Sequence, residues 1–224
     1  MLCLKQRSVK NAYETLVPKI LKEGLEMTTE DGQRCKEIMN VMIEITNPKD
    51  KSISPKYPLG ERAVENYTQQ LLYGAKNEFS YDYHSRLFDY PNEDNTKRIN
   101  QIQYIIDKLK EQPSSRRCVA VTWNPFIDVK VSMQERGSVP CLNHLQIIRR
   151  GDHIYMTVLF RSNDILCAFV ANAIGLITLG EIIAEETGTE LKKYVHIANS
   201  AHIYVDRDRD YIKKYFPDCV DCIK

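Results

Sequence analysis

Apolar residues recur at helical spacing in four stretches of the chain, and in others they run or alternate as strands do. VKNAYETLVPKILKEG predicts a helix over 9–24, with Pro18 as a kink and Gly24 as its stop. RCKEIMNVMIEITNP predicts a strand over 34–48, ended by Asn47-Pro48. AVENYTQQLLYG predicts a helix over 63–74 that ends on glycine. TKRINQIQYIIDKLKEQ, 96–112, is the clearest amphipathic helix, with Ile99, Ile102, Ile105, Ile106 and Leu109 on one face. A strand follows at 116–125, then two strands within 141–162 around a turn near Gly151-Asp152. A long apolar helix over 171–188 closes on Gly188, and a last strand spans 195–207. Helices and strands mix without regular βαβ alternation, so the expected class is α+β. No repeat or low-complexity linker divides the chain, which predicts a single domain over 1–224.

Charge narrows the partners more than the class. The 31 basic and 30 acidic side chains leave a net charge of +1, so a protein that coats polyanions is excluded and no nucleic acid partner is required. No run approaches the roughly 18 apolar residues of a membrane helix. The opening MLCLKQRSVKNAYETL has no apolar leader core, which predicts a soluble, cytoplasmic protein. Seven cysteines without a secretory signal predict free thiols in a reducing compartment. Cys219-x-x-Cys222 has no second CxxC to complete a zinc site, so no metal is expected.

Candidate chemistry begins at Cys141. A lone cysteine in apolar surroundings is usually core, but this one has company. Arg161-Ser162-Asn163-Asp164 follows 20 residues on, Asn172 opens the apolar helix, and His202-Ile203-Tyr204 interrupts an apolar strand. Polar groups set in core-forming elements are costly unless satisfied, and a cluster of them usually converges on a site. An arginine beside Cys141 would favour its thiolate. The same arginine, with the Ser162 hydroxyl, could bind a phosphate. An asparagine offers a donor and an acceptor together, which suits a pyrimidine edge. Arg116-Arg117 would add phosphate donors, although alone such a pair is usually a solvated loop.

These motifs together resemble the thymidylate synthase family. Val139-Pro140-Cys141-Leu142-Asn143-His144-Leu145-Gln146 looks like its nucleophile segment. FRSND (160–164), NAIGLI (172–177) and HIY (202–204) resemble the rest of the signature, in order and at its spacing. Upstream, SRR (115–117), TWNP (122–125) and YDYHSR (81–86) match further blocks. The likeness covers roughly residues 77–207.

The resemblance implies a mixed sheet with flanking helices and a role for each matched residue. Cys141 would add to C6 of the pyrimidine of dUMP. Arg161, Ser162, Arg116 and Arg117 would hold the 5′-phosphate, the arginine pair reaching in from a second subunit of a homodimer. Asn172 would read the uracil edge, His202 and Tyr204 would hold the deoxyribose hydroxyl, and Gln146 would lie in the nucleotide pocket. Asp164 would face the one-carbon carrier, and Tyr81 would help proton transfers at C5. The carrier would be methylene-tetrahydrofolate or methylene-tetrahydromethanopterin.

Departures from the family pattern cluster away from the nucleotide. Leu142 stands where a histidine usually follows the nucleophile, Asp82 where a glycine follows the tyrosine, and Ala168 where another glycine is usual. YTQQLLYG (67–74) lacks the family's helix carboxylate; Glu61 and Glu65 are out of register. Trp123 is the single tryptophan, and CVDCIK lacks the apolar closing tail. This pattern resembles the short archaeal branch of the family, in which a methanopterin carrier replaces folate. The readings to separate are a dTMP-forming synthase, a pyrimidine nucleotide (dUMP/dCMP) hydroxymethylase that finishes with water, and a non-enzymatic homologue that binds nucleotide or RNA.

Overall fold

The computed structural model describes residues 1–74, 82–92, 94, 96–135 and 137–223. In chain order the elements begin with β1 (Leu2–Gln6), α1 (Val9–Glu23), β2 (Leu25–Thr28), β3 (Arg34–Ile45) and α2 (Gly60–Tyr73). They continue with α3 (Tyr83–Phe88), β4 (Tyr90–Pro91), β5 (Arg98–Ile99), α4 (Gln101–Glu111), β6 (Cys118–Val121) and α5 (Pro125–Ser132). Last come β7 (Leu142–Arg150), β8 (His153–Asp164), α6 (Phe169–Glu186), β9 (Glu190–Tyr204), α7 (Arg209–Tyr215) and a 3-10 turn, Pro217–Ile223.

Seven strands form one mixed sheet in the order β1-β3-β9-β8-β7-β6, with β2 also on β3. β8 and β9 run parallel, joined by α6, and β1 and β3 run parallel with α1 between them; the other pairs are antiparallel. The fold is therefore α+β, as expected. Val41, Leu145, Ile147, Met156, Val158, Phe160, Tyr194 and Ala198 all turn to one face and are buried there. Helices α1, α4 and α6 pack on the sheet. Each such aliphatic side chain contributes about 1.5–3 kcal/mol on full burial.

Local chemistry explains the ends of the elements. Ser8 caps α1, whose Val9, Ala12, Tyr13, Leu16, Val17, Ile20 and Leu21 form the buried stripe. The β7–β8 hairpin turns on Gly151 at φ +59°, the left-handed conformation a tight hairpin demands. α6 is buried nearly all round, and Gly175 lets it approach α2: an added Cβ there would lie 3.0 Å from the Tyr67 ring.

Several boundaries differ from the periodicity, three of them with a plain local cause. The amphipathic helix begins at Gln101, because the Asn100 side chain accepts from Gln103 N–H and caps it there. Ile99 is consequently 59% exposed and pairs with Tyr90 in the small β4–β5 ladder. The strand expected over 116–125 spans only Cys118–Val121, since Asn124 caps α5 and Pro125 starts it. The last strand starts at Glu190 and ends at Tyr204; Lys192 and Lys193 hide its alternation in the sequence.

Candidate active site

Cys141 sits immediately before β7, half-buried, where the chain leaves a loop ending in Pro140. The two-residue hairpin folds β8 back along β7, so Leu142 faces Phe160 and Arg161 arrives beside the cysteine. Arg161 N–H donates to the Cys141 carbonyl at 2.8 Å. Its guanidinium lies 3.5 Å from the Cys141 sulfur and holds the carbonyls of Pro140 (2.9 Å) and Val139 (3.1 Å). The Ser162 hydroxyl is 3.6 Å from the same sulfur and accepts from Arg161 at 3.3 Å. A half-exposed sulfur therefore has a fixed positive charge and a hydroxyl against it. Elsewhere in the fold burial pushes the Cys35, Cys118 and Cys219 thiols upward, and Cys167 up to about 12, where Asp164 adds to the effect.

The strand that carries Cys141 is pinned from behind. Leu142 N–H donates to the Tyr83 hydroxyl at 3.0 Å, and Thr122 donates to the Leu142 carbonyl. Thr122 belongs to the TWNP segment, which a buried ion pair secures. Arg86 on α3 makes two bonds to Asp128 on α5, at 2.7 and 3.0 Å, and a third to the Thr122 carbonyl at 3.1 Å. Asp128 also accepts from Asn124 N–H at 2.6 Å. Arg86, part of the YDYHSR block, is thus a structural brace and does not touch Cys141.

Asn172 lies a full turn inside α6, whose cap is Ala168; its own N–H already bonds the Ala168 carbonyl at 2.9 Å. Its side chain accepts from Asn163 at 2.9 Å. Asn163 is in turn 3.1 Å from His196 Nε2, and His196 Nδ1 is 2.9 Å from the Tyr194 hydroxyl. Burial pushes His196 down to about 3, so the imidazole is neutral. An unfolded histidine titrates near 6.5. As pH falls below that value the unfolded chain takes up a proton that folded His196 refuses. Stability from this group is complete above pH 6.5 and declines towards pH 3, by up to about 1.4 kcal/mol per unit. Urea titrations at pH 7, 6 and 5 are expected to show this extra slope in the wild type and its absence in His196→Gln.

At the far end of β8 and β9, Asp164 stands opposite His202 in the parallel register. Burial lowers the His202 titration, with Asp164 opposing it. Ser200 lies 3.4 Å from His202 Nδ1 and donates to the Glu37 carboxylate. Tyr204 meets His202 edge-on at 4.9 Å, and Arg207 lies 4.2 Å over the Tyr204 ring. Arg207 also donates to Asp164 and Asp208. Asp164, Cys167 and Asp208 come within 4.8 Å of one another, but Arg207 already balances the two carboxylates.

The chain thus gathers Cys141, Arg161 and Ser162 directly, with Asn172, Asp164, His202 and Tyr204 on the adjoining ends of β8, α6 and β9. It does not gather three others. Arg116 and Arg117 are exposed at the start of edge strand β6. Gln146, midway along β7, donates to the Arg116 carbonyl at 3.0 Å, roughly 16 Å of strand from Cys141. Tyr81 lies outside the described residues. Asn163, named in the sequence cluster but given no role, joins the site together with His196, Tyr194 and Arg207, which the sequence reading did not single out. A histidine inside an apolar strand was the available signal for His196.

Comparison with known proteins follows the same residues. The family model for thymidylate synthase matches residues 65–214. A protein of Methanocaldococcus jannaschii, provisionally named thymidylate synthase, is 62% identical over 98% of both chains. Relatives with the same provisional name come from Methanosarcina mazei, at 35% identity over 94% of this chain and 92% of theirs, and from Methanothermobacter thermautotrophicus, at 31% over 90% and 92%.

Proposed function

The chain belongs to the thymidylate synthase family, and from that premise we propose that it converts dUMP to dTMP by reductive methylation at C5. The observation that carries this reading is the Cys141 sulfur with Arg161 at 3.5 Å and Ser162 at 3.6 Å. In the proposed reaction the sulfur bonds to C6 of the pyrimidine. The C5–C6 π pair shifts towards C5 and O4, which makes C5 a carbon nucleophile. After C5 has gained its one-carbon unit, loss of the C5 proton would free that carbon from its carrier, and a hydride equivalent added to it would complete the methyl group as the C5–C6 double bond re-forms and the sulfur leaves. Tyr81 is assigned to those proton transfers by its place in the family block. Arg161 and Ser162 hold the phosphate; Asn172 reads the base; His202 and Tyr204 hold the sugar hydroxyl.

A reduced pterin fits the mouth of the site. The Asp164 carboxylate can accept, and the half-exposed Arg207 guanidinium, which pairs with it and lies over the Tyr204 ring, can donate. Asp164 would hold the carrier, of the folate or methanopterin type, which when bound supplies the one-carbon unit and the reducing equivalents of methylation. Product mass after incubation with dUMP and each carrier tests the reaction. A gained methyl group supports the synthase, a gained hydroxymethyl group supports the hydroxymethylase, and unchanged dUMP with every carrier overturns both. The hydroxymethylase reading draws on Trp123 being the single tryptophan, which leaves fewer large aromatics to exclude water.

Base choice gives a sharper test. The Asn172 amide matches the O4 acceptor and N3–H donor of uracil, whereas cytosine presents the reverse. Unpaired buried groups cost on the order of 1–3 kcal/mol. dUMP is therefore expected to exceed dCMP in kcat/KM by tenfold or more, roughly 1.4 kcal/mol, and Asn172→Asp is expected to narrow or reverse the ratio. An unchanged ratio would remove the base-reading role; helix capping cannot account for Asn172, since Ala168 occupies the cap.

Phosphate binding calls for a second copy. The sheet face opposite the core carries Met42, Ile197, Leu159, His144 and Val121 in cross-strand register, with Gln146 on the same face and Met42 and Val121 each 38% exposed. Pairing that face with itself would bury it and let Arg116 and Arg117 of one copy serve the other. Sedimentation is expected to give twice 26.0 kDa, and Leu159→Lys is expected to give 26.0 kDa with activity lost. A wild-type protein active at 26.0 kDa would refute the shared site. No helix among the described residues is long and apolar enough to cross a membrane, and a cytoplasmic single-domain enzyme over residues 1–224 is the proposed setting.

A further inference from the structure

An asparagine amide alone is an ambidextrous reader. Turned one way it donates to O4 of uracil and accepts from N3–H; turned over, it suits cytosine. The hydrogen bonds behind Asn172 remove that freedom. The carbonyl oxygen of Asn163 can only accept, so His196 Nε2, 3.1 Å away, carries the imidazole proton. His196 Nδ1 is then bare, and the Tyr194 hydroxyl at 2.9 Å donates into it. The Asn163 amide nitrogen donates to Asn172 Oδ1 at 2.9 Å, which leaves the Asn172 N–H groups for the ligand. The four residues are 0%, 0%, 3% and 6% exposed, from Tyr194 through His196 and Asn163 to Asn172, so no bulk water is at hand to replace a lost partner.

We infer that Asn163, His196 and Tyr194 are positioning residues that lock the Asn172 amide in the orientation suited to uracil. The inference rests on the base-reading role proposed for Asn172. Turning that amide over would set its N–H groups against those of Asn163. Relief requires Asn163 to turn as well, the imidazole proton to move from Nε2 to Nδ1, and the Tyr194 hydroxyl to rotate. The links reverse together or not at all. The ring itself is confined: it stacks on Phe160 at 4.6 Å and meets Phe169 edge-on at 5.0 Å. A two-way amide thereby becomes a one-way reader, and discrimination is set on β9, two residues removed from any contact with the base.

Two measurements on the full chain test this. Nitrogen-15 shifts of His196 are expected to report the Nε2–H tautomer in the wild type; the Nδ1–H tautomer would mean the opposite polarity and overturn the inference, whether or not any variant folds. Calorimetric Kd values for dUMP and dCMP, taken without a carrier, are expected to favour dUMP. Asn163→Leu, similar in length but unable to hydrogen-bond, is expected to shrink the dUMP-to-dCMP affinity ratio by about tenfold, while inorganic phosphate binds as before. Equal weakening of both nucleotides would mark Asn163 as merely structural. A wild type with no preference between them would remove the base reading itself and the relay with it, whereas a preference that survives Asn163→Leu would remove the relay alone.

Discussion

Replacing Cys141 with serine is expected to lower turnover by roughly 10⁴-fold or more while dUMP still binds within a few-fold of the wild-type affinity. The sulfur is the strongest nucleophile among the described atoms of the site, and a serine hydroxyl at the same place is a far weaker one. The groups proposed to hold the nucleotide stay where they are. Arg161 is fixed chiefly by the carbonyls of Val139 and Pro140, at 3.1 and 2.9 Å, and needs no sulfur to remain in place. Steady-state kinetics and calorimetry on the same preparation read the two effects apart. Turnover at the wild-type rate would exclude covalent addition by Cys141. Loss of binding in parallel with turnover would instead make the cysteine a structural element of the pocket.

The second large effect is expected far from the sulfur. Asp128→Ala should destabilise the fold by about 3–5 kcal/mol, because it leaves the Arg86 guanidinium buried and uncompensated. The two side chains are only 7% and 2% exposed, and Asp128 also holds Asn124 N–H. Urea unfolding followed by circular dichroism measures the loss directly. A change below about 1 kcal/mol, the usual worth of an exposed pair, would mean that water reaches the guanidinium. Since Thr122 links this brace to the Leu142 carbonyl, the variant is also expected to raise KM for dUMP in whatever fraction stays folded.

Much of the core of the site was legible in the sequence. A Gly-Asp turn between two runs of strand-forming residues predicts a hairpin, and a hairpin centred on Gly151-Asp152 must bring residue 141 against residues 161 and 162. Antiparallel pairing through a tight turn is local arithmetic. What could not be read depends on long-range register. His196 meets Asn163 only because β9 returns parallel to β8 after the whole of α6, and no spacing rule fixes which residues then coincide. Arg86 illustrates the opposite error: it sits in a block matched to active-site residues, yet it closes an ion pair with an aspartate on α5, a helix that the apolar pattern of 126–131 did not reveal. Ile99 fitted the helical stripe by spacing alone, and one capping asparagine after it changed its element.

Strand order has a temporal consequence. Among the described residues β9 is the last strand and lies between β3 and β8, so it alone links two half-sheets, β1-β2-β3 and β6-β7-β8. During synthesis those halves emerge with no ladder between them. Besides its outer edge, each carries an additional open edge, at β3 or at β8, until residues 190–204 have left the ribosome. The contacts that β9 then makes with β3 span most of the chain, and such distant pairings slow folding through the entropy of closing the loop. The nascent protein is thus exposed to edge-to-edge association longest at the stage when His196 has not yet met Asn163, nor His202 come beside Asp164, so acquisition of the native sheet and completion of the site are one late event.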